Sequence, residues 1–193
     1  MLEHLREYDI ILASNSPRRK ELLESLGLSF RIYVKANVDE SYPTDLEDGK
    51  VAEYICKKKA AAYIPELAPQ QLLIVADTVV RIDGKVLGKP KSREEAVDML
   101  KQLSGRTHIV TTAFGVLSVE KSIIKSVDAE VSFAELTDDM IDFYIDSYKP
   151  NDKAGSYGIQ EWIGIVGISS IRGSYVNVMG LPVQSLFETL RDF

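Results

Sequence analysis

Two stretches of the chain hold residue types that do chemistry on anions. One is Ser14-Asn15-Ser16-Pro17-Arg18-Arg19-Lys20, where a polar turn runs into a row of cations, and the other is Ala76-Asp77-Thr78-Val79-Val80, where a carboxylate interrupts an apolar run. Ser16 is a good helix N-cap and Pro17 suits the first helical position, so Arg18, Arg19 and Lys20 fall in the first turn. Cations there oppose the positive end of the helix dipole, at about 0.3–1 kcal/mol each when the usual stabilisation by anions is read with its sign reversed. A bound polyanion resolves the conflict, because free N–H groups and guanidinium forks make a phosphate site. The competing reading is a capped surface helix whose cations point into solvent. On the phosphate reading Arg19 is dispensable for folding, since its removal takes a charge away from the wrong end of a helix.

An ionised carboxylate inside a buried run is costly unless it is paired, binds a cation or emerges at the end of a strand. Asp77 is therefore the leading candidate for a catalytic carboxylate or a metal ligand. The alternative is an Asp that marks a bulge or a strand end. Two lysines stand where they could join it. Lys59 lies beside the apolar stripe Val51, Ile55 and Ala62 of a helical pattern over Lys50 to Tyr63, and Lys89 sits in the link Gly88-Lys89-Pro90. The ordinary outcome for each is a solvated ammonium.

The elements that must position these groups follow from periodicity. Ile10 to Ala13 reads as a strand buried on both faces, and the helix after it carries Leu22, Leu23 and Leu26 inward and stops at Gly27. Phe30 to Val34 predicts a short strand, and Gln71 to Ile82 a long one that turns at Asp83-Gly84 into Lys85 to Leu87. Ser92 and Glu95 form a capping box for a helix with Ala96, Val97, Leu100 and Leu103 buried. Arg106 to Val119 and Ile123 to Phe133 predict an antiparallel hairpin, then Thr137 caps a helix with Ile141, Tyr144, Ile145 and Tyr148 inward. Asn151 to Gln160 is a small-residue loop long enough to shape a pocket. Ile163 to Val166 and Ile168 to Tyr175 read as closing strands, and Pro182 opens a last helix with Val183, Leu186, Phe187 and Leu190 inward. The result is a mixed-sheet α/β protein, elongated, with flanking helices and a central cleft that collects strand ends, residues 1–193 forming one domain or two lobes around that cleft.

The 193 residues are 45% hydrophobic, enough for a real core, and the net charge of −6 argues against a general nucleic-acid or membrane-surface binder. A basic site must then be local. The single cysteine, Cys56, excludes an internal disulfide and reads as a small apolar filler on a helix. His4 and His108 lie far apart and suggest no metal cluster or triad. The charged N-terminus does not look like a secretory signal and no apolar run reaches membrane-span length, which fits a cytoplasmic protein.

The ordered set of motifs resembles one family. LASNSPRRKELL at Leu12 to Leu23, VDE at Val38 to Glu40, Lys59-Ala60, ADTVV at Ala76 to Val80, LGKP at Leu87 to Pro90, LSGRTH at Leu103 to His108, DKAGSYGIQ at Asp152 to Gln160 and GSYVNVMGLP at Gly173 to Pro182 are similar to the Maf nucleoside triphosphate pyrophosphatases, also called septum-formation inhibitor proteins. The resemblance implies a fold related to the inosine triphosphate pyrophosphatases. It implies hydrolysis between the α and β phosphates, giving a monophosphate and pyrophosphate, with Mg²⁺ or Mn²⁺. Asp77 would be the catalytic proton acceptor. Ser14, Arg18, Arg19, Lys59 and Lys89 would surround the phosphates, Glu40 would be a second carboxylate near the metal or water, and a homodimer is compatible. Arg18, Thr78 and Gln160 match the branch that hydrolyses dTTP and UTP; the 7-methyl-GTP branch has tryptophan, glutamine and glutamate there. Glu161-Trp162 departs from the glycine-rich continuation of many relatives, beside the base pocket. Two other functions stay open: a nucleotide-binding regulator of septum formation, and a house-cleaning pyrophosphatase for purines such as inosine triphosphate.

Overall fold

The computed structural model describes residues 1–193. Its centre is a mixed sheet of β1 (Asp9–Leu12), β2 (Arg31–Ile32), β3 (Gln71–Ile82), β4 (Lys85–Leu87), β5 (Thr107–Leu117), β6 (Ser122–Phe133) and β7 (Ile168–Arg172), in the order β2-β1-β3-β5-β6-β7 with β4 beside β3. β1 runs parallel to β2 and β3, and the remaining pairings are antiparallel. The helices are α1 (Pro17–Glu24), α2 (Val51–Tyr63), α3 (Arg93–Leu103), α4 (Asp138–Tyr148), α5 (Trp162–Gly167), α6 (Tyr175–Met179) and α7 (Val183–Arg191).

The two-residue period of β3 decides what faces what. Leu72, Ile74 and Ala76 pack with Leu22, Leu23, Leu186 and Leu190 of α1 and α7, while Leu73, Val75 and Val79 pack with Ile55, Cys56 and Ala60 of α2. Asp77 therefore faces α2, and Thr78 faces α1. Further along, Val80 and Ile82 join a third apolar cluster with Leu100 of α3 and Tyr144 of α4. One edge of β3 is only partly covered. β1 pairs with it from Gln71 to Ile74 and β4 from Val80 to Ile82, so the segment between, which holds Asp77 and Thr78, has no strand neighbour on that side. A break in a ladder between a parallel and an antiparallel partner leaves backbone groups for something else to satisfy.

Several expectations are corrected. Ile163 to Val166 is helical, within α5: Ile163 is buried and Ile165 is 76% exposed, and a short apolar run cannot be told from a helix by periodicity alone. The closing strand ends at Arg172, because Gly173 takes a left-handed φ and Ser174 then caps α6 through the amide of Asn177. Gly180 ends α6 in the left-handed region, so the cap and stop signals of a helix were both present in the sequence. β2 is only Arg31–Ile32, and both residues are exposed. Tyr148 is exposed and off the buried stripe, whereas Ala62 is partly buried and packs on the cluster that holds Val51 and Ile55; Cys56, fully buried on α2, is the apolar filler expected, and burial pushes its thiol up to about 12.

His108 of β5 lies in the core under the loop that follows α4, with Nε2 at 2.7 Å from the Tyr157 hydroxyl and Nδ1 buried without a partner. Burial lowers its pKa from 6.5 to about 4. The unfolded chain thus takes the proton first as pH falls, so this contribution to stability is complete above about pH 6.5 and is lost as pH falls to about 4, some 3 kcal/mol over the window at about 1.4 kcal/mol per pH unit. The variant His108→Gln is expected to show a shallower loss of stability than the parent protein over that pH range, measured by urea unfolding at several pH values. Parallel pH profiles would show that the buried imidazole is not responsible.

Candidate active site

The gap along β3 opens onto a cleft of about 630 Å³. Its lining comes from the turn after β1 and the start of α1, the loop that follows β2, Lys59 and Tyr63 of α2, Asp77 to Val80 of β3, Gly88-Lys89, the loop from Asp152 to Gly158, and the end of α6 with Gly180. Ser14, Arg18, Arg19, Glu40, Lys59, Asp77, Thr78 and Lys89 are thus brought together. Gln160 is not; it lies two positions beyond Gly158, with its amide oxygen buried and unpaired.

Asp77 is 8% exposed and its Oδ1 accepts from Lys59 Nζ at 2.6 Å. The same ammonium stands 2.9 Å from Oε1 of Glu40, so one cation holds two carboxylates. Burial disfavours the ionised Glu40, but the Lys59 ammonium together with Lys89 and Arg19 outweighs it and lowers its pKa. Lys59 reaches them because it projects from α2 toward the face of β3 that carries Asp77, as the strand period requires. Glu40 arrives on the irregular segment between β2 and α2. Lys89 is exposed, beside Pro90, and makes no ion pair.

Arg19 has a role that the sequence reading missed. Its Nε donates to Gly180 O at 2.8 Å, Nη1 to Ala76 O at 2.9 Å and more weakly to Ser14 Oγ at 3.4 Å, and Nη2 to Thr78 Oγ1 at 3.0 Å. The guanidinium fills the uncovered edge of β3 and ties it to α1 and to the end of α6. Burial lowers its pKa, with Asp77 acting the other way. Thr78 is equally committed. Thr112 Oγ1 donates to Asn177 O at 2.9 Å, so the 2.9 Å contact between the two threonines uses the Thr78 proton, while Thr78 Oγ1 accepts from Arg19. Lys20, by contrast, sits at the surface near Glu24.

The loop from Asn151 to Gln160, expected from its small residues to shape a pocket, holds further charge. Lys153 is buried, its Nζ 2.7 Å from Asp152 Oδ1 and 3.1 Å from Glu161 Oε1, and Arg18 Nη1 donates to Asp152 Oδ2 at 3.3 Å. Glu161 Oε2 also accepts from the Tyr144 hydroxyl, which in turn accepts from the amide of Gly158 at 3.0 Å. A lysine between an Asp and a run of small residues gives no periodic signal of burial, so only the fold reveals it. No group of three or more His, Cys, Asp and Glu side chains is arranged to hold a metal, and no helix is long and apolar enough to cross a membrane.

A family model described as Maf-like protein matches residues 9–193. A dTTP/UTP pyrophosphatase of Parabacteroides distasonis is 49% identical over 193 residues, covering 100% of both chains. One of Phocaeicola vulgatus is 52% identical over 191 residues, covering 99% of each. Among solved structures, the Staphylococcus aureus Ham1 protein superposes with a TM-score of 0.50 at 14% identity, over 66% of this chain and 72% of that one, a likeness of fold.

The contacts of Arg19 reverse the expectation that it is dispensable. Arg19→Ala leaves the Ala76 and Gly180 carbonyls without that donor and should destabilise the ligand-free protein by about 2–4 kcal/mol, since hydrogen bonds to charged groups are worth about 1.5–3 kcal/mol each and are not additive. Urea unfolding measures it. An unchanged midpoint would return Arg19 to the role of a loose surface cation.

Proposed function

This chain belongs to the Maf-like protein family, and we propose that it is a nucleoside triphosphate pyrophosphatase that converts dTTP and UTP, with modified pyrimidine relatives, to the monophosphate and inorganic pyrophosphate. The observation that carries the reading is Asp77, buried at the cleft and paired at 2.6 Å with Lys59. A carboxylate at the cleft, paired with a cation, suits removal of a proton from water, whereas a pure polyanion binder gains nothing from a negative charge there. The relatives named as dTTP/UTP pyrophosphatases support the substrate class. A nucleotide-pool house-cleaning role in the cytoplasm fits that reaction.

In the proposed reaction a water oxygen bonds to phosphorus as the α–β anhydride bond breaks, pyrophosphate leaves, and Asp77 takes the water's proton. Lys89, the cleft's unpaired cation, and Lys59, released in part from its carboxylates, face the charge that develops on phosphate oxygens. Ser14 Oγ, which accepts from the Ser16 amide at 3.2 Å, keeps its proton for a phosphate oxygen. Two carboxylates converging on one ammonium form a donor set that suits Mg²⁺ or Mn²⁺, which take one or two carboxylates together with substrate phosphates and need no cage of protein ligands. Glu40 and Asp77 would hold the ion, which supplies charge neutralisation at the phosphates when bound.

Base preference is assigned to Arg18, Thr78 and Gln160. Thr78 acts through the Arg19 and Thr112 bonds that already occupy its hydroxyl. Gln160 does not itself line the cleft; its amide oxygen is buried and unpaired two positions beyond the lining residue Gly158.

With Mg²⁺ or Mn²⁺ present, dTTP is expected to give dTMP and pyrophosphate in a product analysis by anion-exchange chromatography, and chelation should stop turnover. Diphosphate plus orthophosphate as products would sink the assignment. Asp77→Asn should lower kcat by about 10²–10⁴-fold, the range for loss of a general base, while binding of a non-hydrolysable analogue persists. Turnover of dTTP and UTP should exceed that of 7-methyl-GTP, and Gln160→Glu should erode the preference; equal turnover by the parent protein would remove the substrate assignment and leave the reaction class standing.

A further inference from the structure

The cations of the cleft fall into two kinds. Lys89 has no anionic partner, and Arg19 is bonded only to neutral oxygens. Arg18 belongs with Lys35, Lys59 and Lys153, which have carboxylates beside them: Asp152 lies 3.3 Å from it, 134 positions away in sequence. A guanidinium with a carboxylate at its side exerts little net field, yet keeps planar N–H donors for a second partner. Such a group discriminates neutral carbonyl acceptors by geometry instead of attracting phosphate by charge. The Asp152 side chain is 60% exposed, and a pair that open to water contributes only about 0–1 kcal/mol to folding, so its consequence is the direction in which Arg18 points.

Asp152 is itself held in place. Lys153 Nζ lies 2.7 Å from Asp152 Oδ1 and 3.1 Å from Glu161 Oε1, and the other oxygen of Glu161 is bonded to the buried Tyr144 hydroxyl. Charges alternate along this line from α4 to α1. Each link fixes the next, and burial within the loop leaves Lys153 no solvent-exposed alternative. Arg18 stands at one end of this line, and Glu161, further along it, is the sequence neighbour of Gln160.

We propose that Asp152 and Glu161 are positioning residues for nucleobase selection: through Lys153 they hold Arg18 as a charge-neutralised donor to the base, and keep it off the triphosphate. The proposal rests on the pyrimidine triphosphate pyrophosphatase reading given above. Removing the Asp152 charge turns Arg18 into a bare cation that is free to swing to phosphate. Removing the Glu161 charge leaves Lys153 with Asp152 as its remaining carboxylate, and so competes with Arg18 for it.

The test uses the full chain and two probes, dTTP as substrate and inorganic tripolyphosphate, which has no base, as a competitive inhibitor. Asp152→Asn is expected to raise the KM for dTTP about tenfold, with a much smaller change in kcat, while the Ki of tripolyphosphate stays the same or falls. Glu161→Gln should move both constants in the same directions by less. In an Arg18→Ala background, Asp152→Asn should have almost no further effect on KM, since the pair acts as one unit. Loss of dTTP and tripolyphosphate binding in parallel, or additive effects of the Arg18 and Asp152 changes, would overturn the proposal. The parent protein decides the underlying reading separately: if it does not prefer dTTP and UTP, that reading fails and the inference falls with it, whereas a parent with the preference and unaffected variants defeats the inference alone.

Discussion

The uncovered stretch of the β3 edge, and the guanidinium that fills it, is the constraint on which the rest of the site depends. A continuous parallel partner would have covered Asp77 and Thr78; a complete gap would have left backbone carbonyls unpaired in the interior, at about 1–3 kcal/mol each. Arg19 resolves this by donating to the Ala76 carbonyl from the side where a strand would have been, and its remaining donors reach Thr78, Ser14 and Gly180. The sheet therefore stays open at one place without paying the usual desolvation cost. The planar fork with its five N–H groups serves four acceptors here, more than the three donors of a lysine ammonium could reach.

From that opening, strand periodicity separates two kinds of chemistry. Asp77 faces α2 and meets Lys59, while Thr78, one residue on, faces α1 and meets Arg19. Adjacent residues thus serve the proposed reacting centre and the frame that holds the uncovered sheet edge. The protein carries a net charge of −6, yet Arg18, Arg19, Lys35, Lys59, Lys89 and Lys153 all reach its cleft, against Glu40, Asp77 and Asp152. A local excess of cations in an acidic protein concentrates the field where a triphosphate would lie and leaves the outer surface unattractive to nucleic acid.

Much of this was legible. Ser16 and Pro17 begin α1, the Ser92 cap begins α3, Asp83-Gly84 turns the hairpin, and Asp77 is a buried carboxylate that needed a partner. What the sequence could not disclose was long-range. The cations of α1 looked alike by position in the helix, but Lys20 goes to the surface, Arg18 to a carboxylate from the far end of the chain, and Arg19 to two backbone carbonyls. Helix-dipole reasoning treats all three equally, because it contains nothing about tertiary acceptors. The short helices α5 and α6 were missed for the opposite reason: local apolar β-branched runs favour strands, and packing of Ile163 and the fully buried Asn177 overrode that preference.

The Lys59 bridge shows why a base in this position has to be built as a pair and not as a lone carboxylate. Asp77 and Glu40 accept from the same ammonium at 2.6 and 2.9 Å, so they lie near each other. Without the cation between them, a buried carboxylate and its neighbour would stand together with no counter-charge, a costly arrangement. Lys59 thus supplies that counter-charge before any substrate enters, and it also ties the irregular segment carrying Glu40 to α2. When a triphosphate arrives, its oxygens compete for that ammonium, and the attraction that releases Asp77 is exerted by the molecule on which Asp77 would act. In the proposed reaction the base is freed only where its substrate is present, and this follows from one lysine placed between two carboxylates.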